Sequence, residues 1–119
     1  MTTATTTIAV NAHCMDLDPL GVTVTGPDAA GVWTITAPDS VSQVDLNAAV
    51  AAAAAEATTI ANMSDLLAKA AAAQTNNATF LALASPTNAQ TLAQVKALTR
   101  QCNALIKLQL GDLGTTSGT

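Results

Sequence analysis

Apolar and polar residues follow two different periods along this chain. In residues 22–25, Val22-Thr23-Val24-Thr25 alternates apolar and polar, as a half-buried strand does. Residues 32–36, Val32-Trp33-Thr34-Ile35-Thr36, form a second β-branched and aromatic run. Between them, Gly26-Pro27-Asp28-Ala29-Ala30-Gly31 carries strong turn chemistry, so the two runs predict a β hairpin. The Thr-rich residues 5–10, with Ile8 and Val10 two apart, predict a further strand. A hairpin alone is marginal in water and needs other strands or a helix over the face that bears Trp33 and Ile35.

After Pro38 and Asp39 the period changes to that of a helix. Residues 41–83 contain no Gly or Pro and consist almost entirely of helix formers. Ser40 or Ser42 suits the N-cap, and Asp45 suits the positive helix end. Ile60, Met63, Leu67, Ala70 and Leu81 recur at spacings of three and four and read as a coiled-coil-like seam. Leu46, Ala49 and Ala53 extend it towards the N-terminus, whereas Gln74 and Asn77 interrupt it. Thr75-Asn76-Asn77 is a candidate bend. Small side chains over residues 48–55 would let a partner helix approach closely.

Ala84-Ser85-Pro86-Thr87-Asn88 breaks the pattern, and Ser85 as cap with Pro86 at the first helical position predicts a second helix over residues 86–110. Its stripe is Leu92, Val95, Leu98, Cys102, Leu105, Ile106 and Gln109, with Lys96 and Arg100 on the other side. Gly111 ends it. The short joint predicts an antiparallel helical hairpin. The fold class is therefore α+β: an N-terminal β region over residues 1–40, a helical hairpin over 41–110 and a C-terminal tail over 111–119.

Composition sharpens this picture. Hydrophobic residues make up 50% of the 119, but much of that is alanine, and aromatics are 2%, Trp33 and Phe80. At about 25 cal/mol per Å² of buried apolar surface, an alanine-rich interior stabilises a short chain weakly. Such a chain gains stability by joining other subunits. The residues expected to form that interface are Ile60, Met63, Leu67, Leu92, Val95, Leu98, Leu105 and Ile106, with Trp33 as an anchor or a hairpin core residue. The partners expected are copies of the same chain, and the fibre-like order of β hairpin then helix points to a trimer.

Net charge is −4, and 10% of residues are charged. Every charge from Asp16 to Asp65 is acidic, whereas Lys69, Lys96, Arg100 and Lys107 outnumber Asp112 after it. Opposite ends of opposite sign favour stacking between copies or a complementary partner. No basic patch suits a phosphate backbone, so nucleic acid is not an expected partner. The start lacks a signal-peptide pattern, and residues 47–57 are too short and too weakly apolar to span a membrane.

Candidate chemistry is sparse. His13, Cys14 and Asp16 are metal-ligand types, but three of them within four residues of one loop make a poor closed site, and no second cluster completes them. His13 and Cys14 are adjacent and would point apart, which disfavours nucleophile activation. Cys14 and Cys102 form no paired framework. No phosphate-binding or nucleophile-elbow motif occurs. No catalytic, cofactor or metal site is expected, and the chain reads as a non-enzyme.

The stretch over residues 76–107, above all Ser85-Pro86-Thr87-Asn88-Ala89-Gln90 and the run from Gln94 to Gln101, resembles the C-terminal part of small Ala/Thr-rich virion proteins of tailed phages that infect actinobacteria. The resemblance implies a structural virion protein, a minor tail or tail-tip fibre-like component. It would be assembled in the host cytoplasm and pack against other virion proteins. A capsid decoration or head protein, and a soluble helical adaptor or assembly chaperone, are the alternatives.

Overall fold

A computed structural model describes all 119 residues. It contains three strands, β1 (Thr2–Thr6), β2 (Thr23–Thr25) and β3 (Trp33–Ala37), then two helices, α1 (Gln43–Leu81) and α2 (Asn88–Leu110). The α+β class with an N-terminal sheet and a helical hairpin is thus what the chain adopts. The chain divides into two compact units, Met1–Thr58 and Thr59–Thr119, and the division falls inside α1.

In the first unit the sheet order is β1-β3-β2, antiparallel throughout. The predicted β2–β3 hairpin forms. The N-terminal strand lies earlier than the sequence suggests: β1 covers Thr2–Thr6, while Ile8 and Val10 fall in the following loop. Pairing on β3 explains the shift, because Thr2 to Thr6 match Ala37 to Trp33 one for one, and residues beyond Thr6 have no strand opposite. Val10 is buried from the loop instead, and Ile8 is exposed.

Strand alternation sends Ile35 and Ala37 to one face, against Leu46, Val50 and Ala53 of α1. These α1 residues are spaced four and three, one helical face. Leu17, held by a turn and the 3₁₀ helix Asp18–Leu20, completes the core with Val10. Leu17, Ile35 and Leu46 are fully buried, and each contributes about 1.5–3 kcal/mol by leaving water. Trp33 is half-buried at the start of β3. It lies next to Gly26, where φ is 132° and an added Cβ would stand 2.9 Å from the Val32 carbonyl, so only glycine fits that turn.

Ser42 caps α1, its Oγ accepting from the Asp45 backbone N–H at 3.1 Å and donating to the Asp45 carboxylate at 2.6 Å. The helix then runs unbroken through Thr75-Asn76-Asn77. Asparagine side chains break helices by bonding to local backbone, but the Asn77 side chain is engaged elsewhere, with Gln94 and Gln101 of α2.

In the second unit, α2 begins later than expected. Thr87 is the N-cap, not Ser85, because Thr87 and Gln90 satisfy each other's backbone N–H groups in a capping box. Pro86 therefore precedes the cap. Gly111 ends α2 in the left-handed conformation at φ 68°, with its N–H on Leu108 O and that of Asp112 on Lys107 O. Little is buried here: Leu66 and Leu113 are the two buried apolar residues. No helix is long and apolar enough to cross a membrane.

Candidate interaction face

The contact line between the helices of the second unit is small and polar. On α1 it follows Leu66, Ala73, Asn77 and Phe80, and on α2 it follows Gln94, Ala97, Gln101 and Ala104, all buried or half-buried. Asn77 is its centre. Its Nδ2 donates to Gln101 Oε1 at 3.0 Å, and its Oδ1 accepts from Gln94 Nε2 at 2.7 Å. Alanines on both helices leave a groove of about 510 Å³, lined in part by Ala70, Ala73, Ala97 and Ala104.

The sequence places Asn77 on the same seam as Leu67, and the structure separates them. At 3.6 residues per turn, Met63 and Leu67 stand about a quarter-turn from the line through Leu66 and Asn77. Val95 and Cys102 stand about a quarter-turn, and Leu98 and Leu105 a smaller angle, in the same rotational sense, from the line through Gln94 and Gln101. Two right-handed helices that run antiparallel bring such offsets to the same side of the pair. One side of the hairpin therefore carries Met63 and Leu67 beside Val95, Leu98, Cys102 and Leu105. Ile60, Leu81 and Ile106 widen it at the edges, and Leu92 lies on the back of α2, one turn from Lys96.

Every interface residue expected on the helices, Ile60, Met63, Leu67, Leu92, Val95, Leu98, Leu105 and Ile106, is exposed in the single chain, from 44% at Met63 and Leu98 to 65% at Leu105. None is buried by the hairpin, although Leu105 also borders the groove between the helices. Trp33 belongs to the first unit.

The charges lie on the other side. Asp65, Lys69, Arg100 and Lys107 are offset in the opposite sense, and Lys96 lies further round on the same charged side. The C-terminal tail confirms which side this is. Leu113 O accepts from Asn62 Nδ2 at 2.6 Å, Thr115 O from Lys107 Nζ at 2.9 Å, Gly118 O from Asn103 Nδ2 at 3.2 Å, and Thr119 Oγ1 from Lys69 Nζ at 3.2 Å. The tail thus occupies the charged side and leaves the apolar side bare. Lys69 also pairs with Asp65 at 3.0 Å, and its hydrogen bond holds the Asp65 carboxyl below the usual aspartate range, with Thr116 adding to the effect.

Two features of the first unit lay outside the sequence reading. Each strand carries a Thr-x-Thr pair, and the register aligns Thr3, Thr36 and Thr23 in one row and Thr5, Thr34 and Thr25 in another. Six threonines thus make up the sheet face away from the core. The signal was the thrice-repeated Thr-x-Thr spacing. The second feature is a group of three ligand types, Cys14, Asp16 and Glu56, whose donor atoms lie within 4.8 Å of one another. His13, grouped with Cys14 and Asp16 in the sequence, turns instead to Asp18 at 3.2 Å. Glu56 takes its place because α1 passes the loop, a proximity no local spacing reveals. A thiol and two carboxylates could offer a cation three ligands.

Comparison with protein-family models, curated proteins and solved structures found no match.

Proposed function

We propose that this chain is a structural virion protein of a tailed phage, a minor tail or fibre-like component that assembles through its helices. The observation that carries this reading is the uncharged apolar side of the helical hairpin, which the fold of the single chain does not use. Apolar side chains are normally spent on a chain's own core before its surface. Here α2 has no buried residue at all, although Leu92, Val95, Leu98, Leu105 and Ile106 are available to it. A protein that holds its strongest apolar residues outward is built to join other subunits. The resemblance of residues 76–107 to small phage virion proteins supplies the setting.

The test is composition of the particle. Mass spectrometry of gradient-purified phage particles should find the chain in several copies per virion, and antibody labelling in electron micrographs should place it on the tail. Labelling on the head would favour capsid decoration. Abundance in infected cells with absence from purified particles would replace this reading with a transient assembly chaperone.

A further inference from the structure

We propose that the apolar side of the helical hairpin is the seat of a second copy of this chain, with two hairpins closing face to face across a two-fold axis as a four-helix bundle. This rests on the assembly reading above and names the partner and the surface.

Three observations select the occupant. The first is area. Ile60, Met63, Leu67, Leu81, Val95, Leu98, Leu105 and Ile106 are each between 44% and 82% exposed. Summed along the hairpin, their exposed apolar surface reaches at least the ~300–600 Å² of the largest patch on an ordinary monomer. A standard stable interface buries about 800 Å² on each partner, and a face that runs along both helices is of the scale a second copy needs.

The second is charge. All five charged residues of the two helices in this unit, Asp65, Lys69, Lys96, Arg100 and Lys107, lie on the other side. A copy brings an equally uncharged surface, so docking strands no charge and sets no like charges together. A strongly acidic or basic partner would find nothing on this face to pair with. A two-fold contact requires a self-complementary patch, and an uncharged, mainly apolar side meets that condition.

The third is the tail. Residues 113–119 bond along the charged side and are not available to cover the apolar one. The hairpin has no segment of its own left for the purpose. A two-fold pair also matches the shape of the face. Two seams, one per helix, meet two seams of the copy, with the packing of a four-helix bundle. A three-fold arrangement would give each hairpin two neighbours and divide the seams between them.

Cys102 reports on the contact. It is exposed in the single chain and lies between Val95, Leu98 and Leu105 on the face. The experiment combines mass measurement by light scattering across a concentration series with maleimide labelling of the full-length protein, read at Cys102 by peptide mapping. A dimer is expected, with Cys102 protected when assembled and labelled freely on dilution. Leu98→Asp should weaken the dimer by about 30-fold or more, as a central interface residue does. Helical circular dichroism should be kept, since Leu98 is not buried in the single chain. Arg100→Glu, on the opposite side, should leave the dimer intact.

A protein monomeric at all concentrations overturns the proposal. So does an oligomer in which Cys102 stays reactive and Leu98→Asp has no effect, or a trimer. Assembly only with a different virion protein also overturns it. Each of these leaves the virion reading standing, which fails separately if purified particles lack the chain.

Discussion

Asp65 shows how little a single residue contributes on so exposed a surface, and how that contribution can still be measured. Its carboxylate pairs with Lys69 one turn along α1, and the hydrogen bond from Lys69 lowers its pKa, with Thr116 of the tail as a second donor. A carboxyl with a lowered folded-state pKa stabilises the native state above its unfolded pKa, near 4 for aspartate. That stability fades as pH falls from there through the lowered value. Asp65→Asn should therefore lower the melting temperature slightly at neutral pH and make no difference in strong acid, where the wild-type carboxyl is itself protonated. Thermal melts of both proteins at the two pH values check this. A gap that persists unchanged in acid would assign the effect to packing of the tail.

At the scale of elements, caps matter more than usual because no residue of α2 is fully buried. Thr87→Ala removes the side-chain acceptor for the Gln90 N–H and opens the capping box, a loss of about 0.5–2 kcal/mol. In a helix without a buried face there is little to compensate, so the second unit should fray first. Hydrogen exchange should show faster exchange from residue 88 onward while β3 and the first turns of α1 stay protected. Ser85→Ala should do little, since Ser85 caps nothing. Much of this architecture was legible in the sequence. Strand alternation at Val22–Thr25 and Val32–Thr36, the helix-forming run and the break near Pro86 all reflect local preference, and local preference wins where no long-range contact opposes it. The misplaced pieces were decided by distant partners. β1 is set by its register on β3, Asn77 is kept helical by two glutamines from α2, and Glu56 meets Cys14 and Asp16 across some forty residues of chain. The direction of the apolar stripe was also hidden. Periodicity finds a stripe, but not whether it faces the neighbouring helix or a quarter-turn away.

At the scale of the whole molecule, two modes of self-association make opposite claims about salt. The lopsided charge, acidic before Lys69 and mainly basic after it, would drive end-to-end stacking by attraction between unlike ends. Such contacts are screened as ionic strength rises, since the Debye length falls from ~10 Å at 0.1 M to ~3 Å at 1 M. The bare side of the hairpin carries no charge to be screened. Its association follows the hydrophobic effect, which salts such as sulfate strengthen through their exclusion from protein surface. Because only the assembled state buries this face, the apparent melting temperature should rise with protein concentration. Raising sodium sulfate should raise it further, and raising sodium chloride should leave the association constant nearly unchanged. Sedimentation equilibrium in low salt, in about 1 M sodium chloride and in sulfate separates the modes. Dissociation in sodium chloride would mean that the unlike ends hold the subunits together. Insensitivity to chloride with tightening in sulfate places the contact on Leu67, Val95, Leu98 and Leu105. In that case the hairpin's thin interior and its apolar exterior are one arrangement: the alanines and amides between the helices only align them, and the larger side chains are kept for the next subunit.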